Sequence, residues 1–267
     1  MAHASFLELP DRTPKPRSTG LTHVIDPGVG PAAAADVLAS GAQYIDIWKV
    51  GWGVAYLDGA LETKLALLAE HGVSSCLGGT LLELAWAQGR AGECLQWAAA
   101  TGFDHVEVSR GTVPMSLHDK RELIRLAARD FVVLAEVGTK SPDEALAARH
   151  WPAEASSDLD AGAQLVVTEG RQSGTVGTFT SSGRVRPDVV EAVVAAVGRD
   201  RVIFEAPRTA QQAWFVRRFG TGVNLGNVAL SDVLGVETLR LGLRSDTAVW
   251  DGVLGNGEHG AVGSGPA

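Results

Sequence analysis

The chain has 267 residues, 45% of them hydrophobic and 20% charged, a composition that excludes wholesale disorder. Lys and Arg number 23 against 31 Asp and Glu, a formal charge of −8 that removes any global reason to bind nucleic acid or an anionic membrane. Cys76 and Cys94 are too few for a disulfide framework or a four-cysteine metal site, and read as buried thiols in a reducing cytosol.

Residues 1–20 carry Pro10, Pro14 and Pro16 but no apolar core of a signal peptide, and read as an N-terminal extension. No apolar run reaches the roughly 18 residues of a membrane span, so a cytoplasmic protein is expected. From there one unit repeats: a short apolar run, a polar residue at its end, then a helical stretch. The runs are Thr22–Asp26, Tyr44–Lys49, Val73–Leu77, His105–Ser109, Val132–Glu136, Leu165–Glu169, Val202–Glu205 and Gly222–Leu225. The helical stretches are Ala32–Ser40, Leu61–His71, Leu81–Thr101, Leu117–Arg129, Pro187–Val197, Thr209–Phe219 and Leu230–Leu243. Between Ser141 and Gly162 the pattern is irregular, with only a short helix signal at Leu159–Ala163. Residues 246–267, with six glycines from Gly252 onward, read as a flexible tail.

Eight β-then-α units over residues 21–245 predict an α/β fold, a single (β/α)8 TIM barrel. An open doubly wound sheet fits less well. Asp26-Pro27-Gly28-Val29-Gly30 follows the first run, but no G-x-G-x-x-G is present.

In such a barrel the residues at the strand ends face the active site. They include Asp26, Asp46 with Lys49, Gly78-Gly79-Thr80, Glu107, Glu136 with Lys140, Glu169 with Arg171, Glu205, and Asn224 with Asn227. Buried charge at strand ends is unusual unless paired or ligand-bound. Carboxylates converging with basic residues suit a hard cation such as Mg²⁺ bridging to an anionic substrate. Asp46, Glu107, Glu169 and Glu205 are the expected metal ligands. The histidines show no zinc spacing, and His23 and His105 read as core residues. Three small-residue loops could hold phosphate: Gly78–Thr80, Ser173-Gly174-Thr175, and Asn224-Leu225-Gly226-Asn227. Thr80 with Glu83 also has capping-box spacing.

Several of these motifs, in this order, resemble the phosphosulfolactate synthase family: Lys15-Pro16-Arg17, Gly51-Trp52-Gly53, Leu77-Gly78-Gly79-Thr80, Glu136-Val137-Gly138 with Lys140, Glu205-Ala206-Pro207 and Val223-Asn224-Leu225-Gly226-Asn227. The resemblance runs from about Lys15 to Arg244. It implies a TIM barrel that adds sulfite to phosphoenolpyruvate with Mg²⁺, giving (2R)-phospho-3-sulfolactate, the first step of one coenzyme M route. It also implies a homo-oligomer, a trimer among the forms expected. Plant heat-stress-associated relatives share the pattern. The resemblance makes Lys140 the proton donor, with Glu136 and Lys49 as further catalytic residues. Arg17, Arg171, Ser173, Gly174, Asn224, Gly226 and Asn227 are the expected contacts of the small anionic substrate. Val54, Ala55 and Gln172 stand where the family usually has Thr, Ser and Glu, which predicts poor use of sulfite and a different co-substrate.

Overall fold

The computed structural model describes residues 6–138 and 148–248; Lys140 and the chain beyond 248 lie outside the described residues. Eight strands form one closed parallel barrel in sequence order: β1 (Thr22–Asp26), β2 (Ile47–Val50), β3 (Ser74–Leu77), β4 (His105–Val108), β5 (Val132–Val137), β6 (Leu165–Thr168), β7 (Val202–Glu205) and β8 (Asn224–Ala229). β8 returns to pair with β1, so no edge is left open. The surrounding helices are α1 (Pro31–Gly41), α2 (Val54–Leu57), α3 (Leu61–Glu70), α4 (Gly79–Ala87), α5 (Ala91–Thr101), α6 (Leu117–Ala127), α7 (Trp151–Asp160), α8 (Pro187–Val197), α9 (Thr209–Phe219) and α10 (Val233–Arg240). No helix among the described residues is long and apolar enough to cross a membrane.

Strand alternation sorts side chains into two cores. Leu21, Ile47, Cys76, Leu134, Val167 and Ile203 fill the barrel. Their strand neighbours, such as Val24, Trp48, Val50, Val106 and Phe204, pack outward against the helices.

In the helix layer the structure differs from the sequence pattern at two segments. The stretch Leu81–Thr101 is two helices, broken where Gly89 takes a φ of 72° that ends α4. The interval before Gly162 holds a full helix, α7, with Pro152 in its first turn, where a missing N–H is harmless.

The helix layer is tied to the barrel through buried ions. Lys120 on α6 is fully buried and donates to Glu136 O at 2.7 Å, Glu154 Oε1 at 2.8 Å and Asp158 Oδ2 at 2.5 Å. Arg110, after β4, pairs with the same Glu154 through two nitrogens at 3.1 Å. Lys120→Met strands Asp158 as an unpaired buried acid. It is expected to lower stability by about 3–5 kcal/mol in urea unfolding; a loss below about 1 kcal/mol would show that the network is energetically idle.

Candidate active site

Inward-facing positions at the C-terminal ends of the strands carry Lys49 on β2, Glu107 on β4, Glu136 on β5 and Glu205 on β7, with Glu169 just after β6. They line a cavity of about 430 Å³ at that mouth of the barrel. One ligand oxygen each from Glu107, Glu136 and Glu205 lie within 4.8 Å of one another. Lys49 Nζ stands 2.8 Å from Glu107 Oε2 and 3.2 Å from Glu205 Oε1.

Backbone amides fix the carboxylates. Gly79 N, in the first turn of α4, donates to Glu107 Oε1 at 3.1 Å. Gly170 N and Arg171 N donate to Glu205 Oε2 at 2.8 and 3.2 Å. Arg171 N also reaches Glu169 Oε1 at 2.8 Å, while the buried Glu169 Oε2 has no hydrogen-bond partner among the described residues. Gly79 is required here, because a Cβ would stand 3.0 Å from Ser109 Cβ and closer still to its Oγ.

The electrostatics are unbalanced toward negative charge. Burial pushes the Glu136 carboxyl well above its ordinary range, Glu169, Glu107 and Glu205 push it further, and among the described residues Lys49 opposes them. Burial likewise raises Glu205 to about 7, against the pull of Lys49. For Lys49 burial alone would lower the pKa, but Glu107, Glu205 and Glu136 outweigh it and hold the ammonium charged. An all-oxygen donor set with surplus negative charge and an orphaned buried oxygen fits a hard divalent cation.

Other expected site residues lie elsewhere. Asp46 precedes β2 and sits at the N-terminal mouth, where it accepts from Thr22 N at 2.8 Å and pairs with Arg17 Nε at 2.9 Å. Neither residue reaches the carboxylate cluster. The strand begins at Ile47, three residues later than its apolar pattern indicates, which moves Asp46 to the opposite end. Asn224 opens β8 rather than closing it; its side chain accepts from Leu21 N and donates to Asp200 O and Val202 O. Gly226 lies inside the barrel, where a Cβ would stand 2.8 Å from Ile203 Cγ2 and 3.1 Å from His23 Nδ1. Gly174 braces its loop instead, its carbonyl accepting from Gln211 Nε2 at 2.8 Å. Asp26 is on the expected face but serves structure: it accepts from Gly28 N, Val29 N and Trp48 Nε1, and pairs with Lys64 at 2.7 Å. Arg171, Ser173 and Asn227 do line the cavity.

Residues behind the cavity organise its loops, and sequence reasoning missed their part. Glu83 makes no capping box. Its buried carboxylate accepts from Ser109 Oγ and from the amides of Gly111, Thr112 and Val113, so one helical side chain holds the loop after β4. Of the three departures from the family pattern, Gln172 lines the cavity, whereas Ala55 is buried elsewhere and Val54 borders Gly28.

The fold and the acidic mouth define a (β/α)8 barrel with a charged cavity at the C-terminal ends of its strands. The family model described as (2R)-phospho-3-sulfolactate synthase (ComA) matches residues 10–246. The chain belongs to the phosphosulfolactate synthase family, and with it to the lyase-type enzymes. It is 41% identical to the phosphosulfolactate synthase of Bacillus subtilis (strain 168), over 90% of this chain and 97% of the relative. It is 39% identical to that of Methanocaldococcus jannaschii, over 85% and 93% respectively. Protein HEAT-STRESS-ASSOCIATED 32 of Arabidopsis thaliana is a more distant relative at 24% identity, over 88% and 91%. Among solved structures, a 3-hexulose-6-phosphate synthase superposes with a TM-score of 0.53 at 15% identity, over 82% of this chain and 97% of that one, a likeness of fold.

Proposed function

We propose that this chain adds sulfite to phosphoenolpyruvate in the presence of Mg²⁺, forming a phosphosulfolactate. The observation that carries this reading is the buried cluster of Glu107, Glu136 and Glu205 around the Lys49 ammonium, at the mouth of a barrel whose relatives are phosphosulfolactate synthases.

The sulfur lone pair forms a bond to the methylene carbon of phosphoenolpyruvate, and the double-bond pair moves toward the carboxylate. The phosphate-bearing carbon then takes a proton. Glu107, Glu136 and Glu205 would hold the divalent cation, which when bound supplies Lewis-acid stabilisation of negative charge on the substrate. Lys49, kept charged by its neighbours, adds a fixed positive charge that needs no reorganisation as the electrons move. Arg171 and Asn227 at the rim are assigned to the phosphate. Lys140 is assigned as proton donor on the family resemblance alone.

A second reading keeps phosphoenolpyruvate and changes the nucleophile, and Gln172 in the cavity wall favours it. Phosphorus NMR of phosphoenolpyruvate with the enzyme separates the two. The proposal expects a new phosphate-ester resonance only when sulfite and Mg²⁺ are both present. Unchanged phosphoenolpyruvate under those conditions would overturn it.

A further inference from the structure

Three non-glycine residues among those described have a left-handed backbone: Trp52 (φ 51°), Arg171 (φ 52°) and Asn227 (φ 50°). All three line the cavity at the C-terminal mouth. Asn adopts this conformation readily, but a bulky residue such as Trp does so rarely.

The turn around Trp52 sharpens the point. Val54 N donates to Gly51 O at 3.1 Å, which places Trp52 and Gly53 at the two central positions of a four-residue turn. Gly53 has φ −99° and ψ 13°. A positive φ at the first central position of a turn favours glycine. Here tryptophan occupies it, and glycine stands where most residues would fit. The turn is also hemmed in, since a Cβ on Gly78 would stand 3.2 Å from Trp52 N and 2.7 Å from Val50 O. Trp52 keeps 41% of its surface exposed, so burial in the core does not explain it. Only Ile25 and Trp52 give the described cavity lining a large apolar surface; its other side chains are polar, charged or absent.

We infer that Trp52 is a substrate-contacting, specificity-determining residue whose indole covers the methylene carbon of a three-carbon enol phosphate. This rests on the proposed reaction. The methylene is the apolar end of that substrate and the carbon the nucleophile must reach. An apolar wall there excludes water and leaves no room for a substituent, while the charged groups around the cavity take the carboxylate and phosphate.

The test compares phosphoenolpyruvate with (Z)-2-phosphoenolbutyrate, which carries one extra methyl on that carbon, in the parent, Trp52→Gly and Trp52→Phe, each with Mg²⁺ and sulfite. Glycine suits the left-handed backbone, so Trp52→Gly is expected to melt at or above the parent temperature. Its KM for phosphoenolpyruvate rises about tenfold, and its discrimination against the methyl analogue falls by about tenfold, the scale of one methyl in a tight pocket. Trp52→Phe retains the discrimination. A folded Trp52→Gly with parental KM and parental discrimination would overturn the inference, as would a lowered melting temperature with unchanged kinetics. Binding is read separately by tryptophan emission with phosphoenolpyruvate and Mg²⁺. Emission is expected to be quenched in the parent and not in Trp52→Phe; equal quenching in both would also overturn the contact. If the parent shows that Trp52-dependent quench without turnover, the reaction reading falls and the contact stands.

Discussion

Lys49→Met is expected to lower turnover by about 10²–10³-fold, the scale of removing one preorganised charge from a buried site. The Lys49 ammonium bonds to Glu107 and Glu205 and opposes the protonation of both Glu136 and Glu205. Without it both carboxyls shift further up, and a carboxyl held protonated binds a cation poorly. The matching control lies at the other mouth. Asp46→Asn breaks the pair with Arg17 and is expected to reduce stability while leaving kcat within about threefold of the parent, since no interaction with the transition state is lost. Steady-state kinetics with circular dichroism melts checks both. A large kcat loss in Asp46→Asn beside a mild one in Lys49→Met would put the site at the wrong end of the barrel.

The second large effect is on stability against pH. Glu205 has its pKa raised from 4.5 to about 7 in the folded chain, with burial as the leading cause, and Glu136 is raised as well. Between those values the folded state binds more protons than the unfolded one, so stability falls as pH rises. Glu205 alone makes the metal-free protein about 3 kcal/mol less stable at pH 8 than at pH 4.5. Lys49 stays charged across this window and does not change the sign. A divalent cation at the cluster reverses the trend, because it binds the deprotonated carboxylates of the folded state. Urea unfolding at pH 5 and 8, with and without Mg²⁺, reads this directly. Mg²⁺ is expected to stabilise strongly at pH 8 and little at pH 5; equal stabilisation at both would detach the effect from these carboxylates.

The barrel was legible because eight short apolar runs, most of them ending in a polar residue, alternate with stretches of helical period. Strand ends were harder. Tyr44 and Ile45 continue the apolar run ahead of Ile47, so Asp46 reads as a residue within or ending β2 when in fact it precedes the strand. The same difficulty at Asn224 hid the direction in which β8 extends, and these two boundaries carried Asp46 and Asn224 to the wrong mouth. Glu136, Glu169 and Glu205 were legible since each ends a run whose limits were nearly right, and Glu107 because it is a carboxylate inside the run His105–Ser109. Glu83, Lys64, Lys120 and Gln211 were not. A charged or polar residue on a helix looks the same in sequence whether it meets water or a buried loop, and all four are buried. Trp52 was missed for a related reason: its signal is a backbone torsion, which a Gly-Trp-Gly string does not disclose.

In the proposed reaction the carboxylates at the C-terminal mouth hold one divalent cation beside an anionic substrate. Electron paramagnetic resonance of Mn²⁺, titrated into the parent and into Glu107→Gln/Glu136→Gln at pH 8, tests it most directly. One bound ion per chain is expected in the parent, with a change in its spectrum when phosphoenolpyruvate is added and loss of binding in the double variant. Equal Mn²⁺ binding by a folded double variant, with the same response to phosphoenolpyruvate, would contradict it.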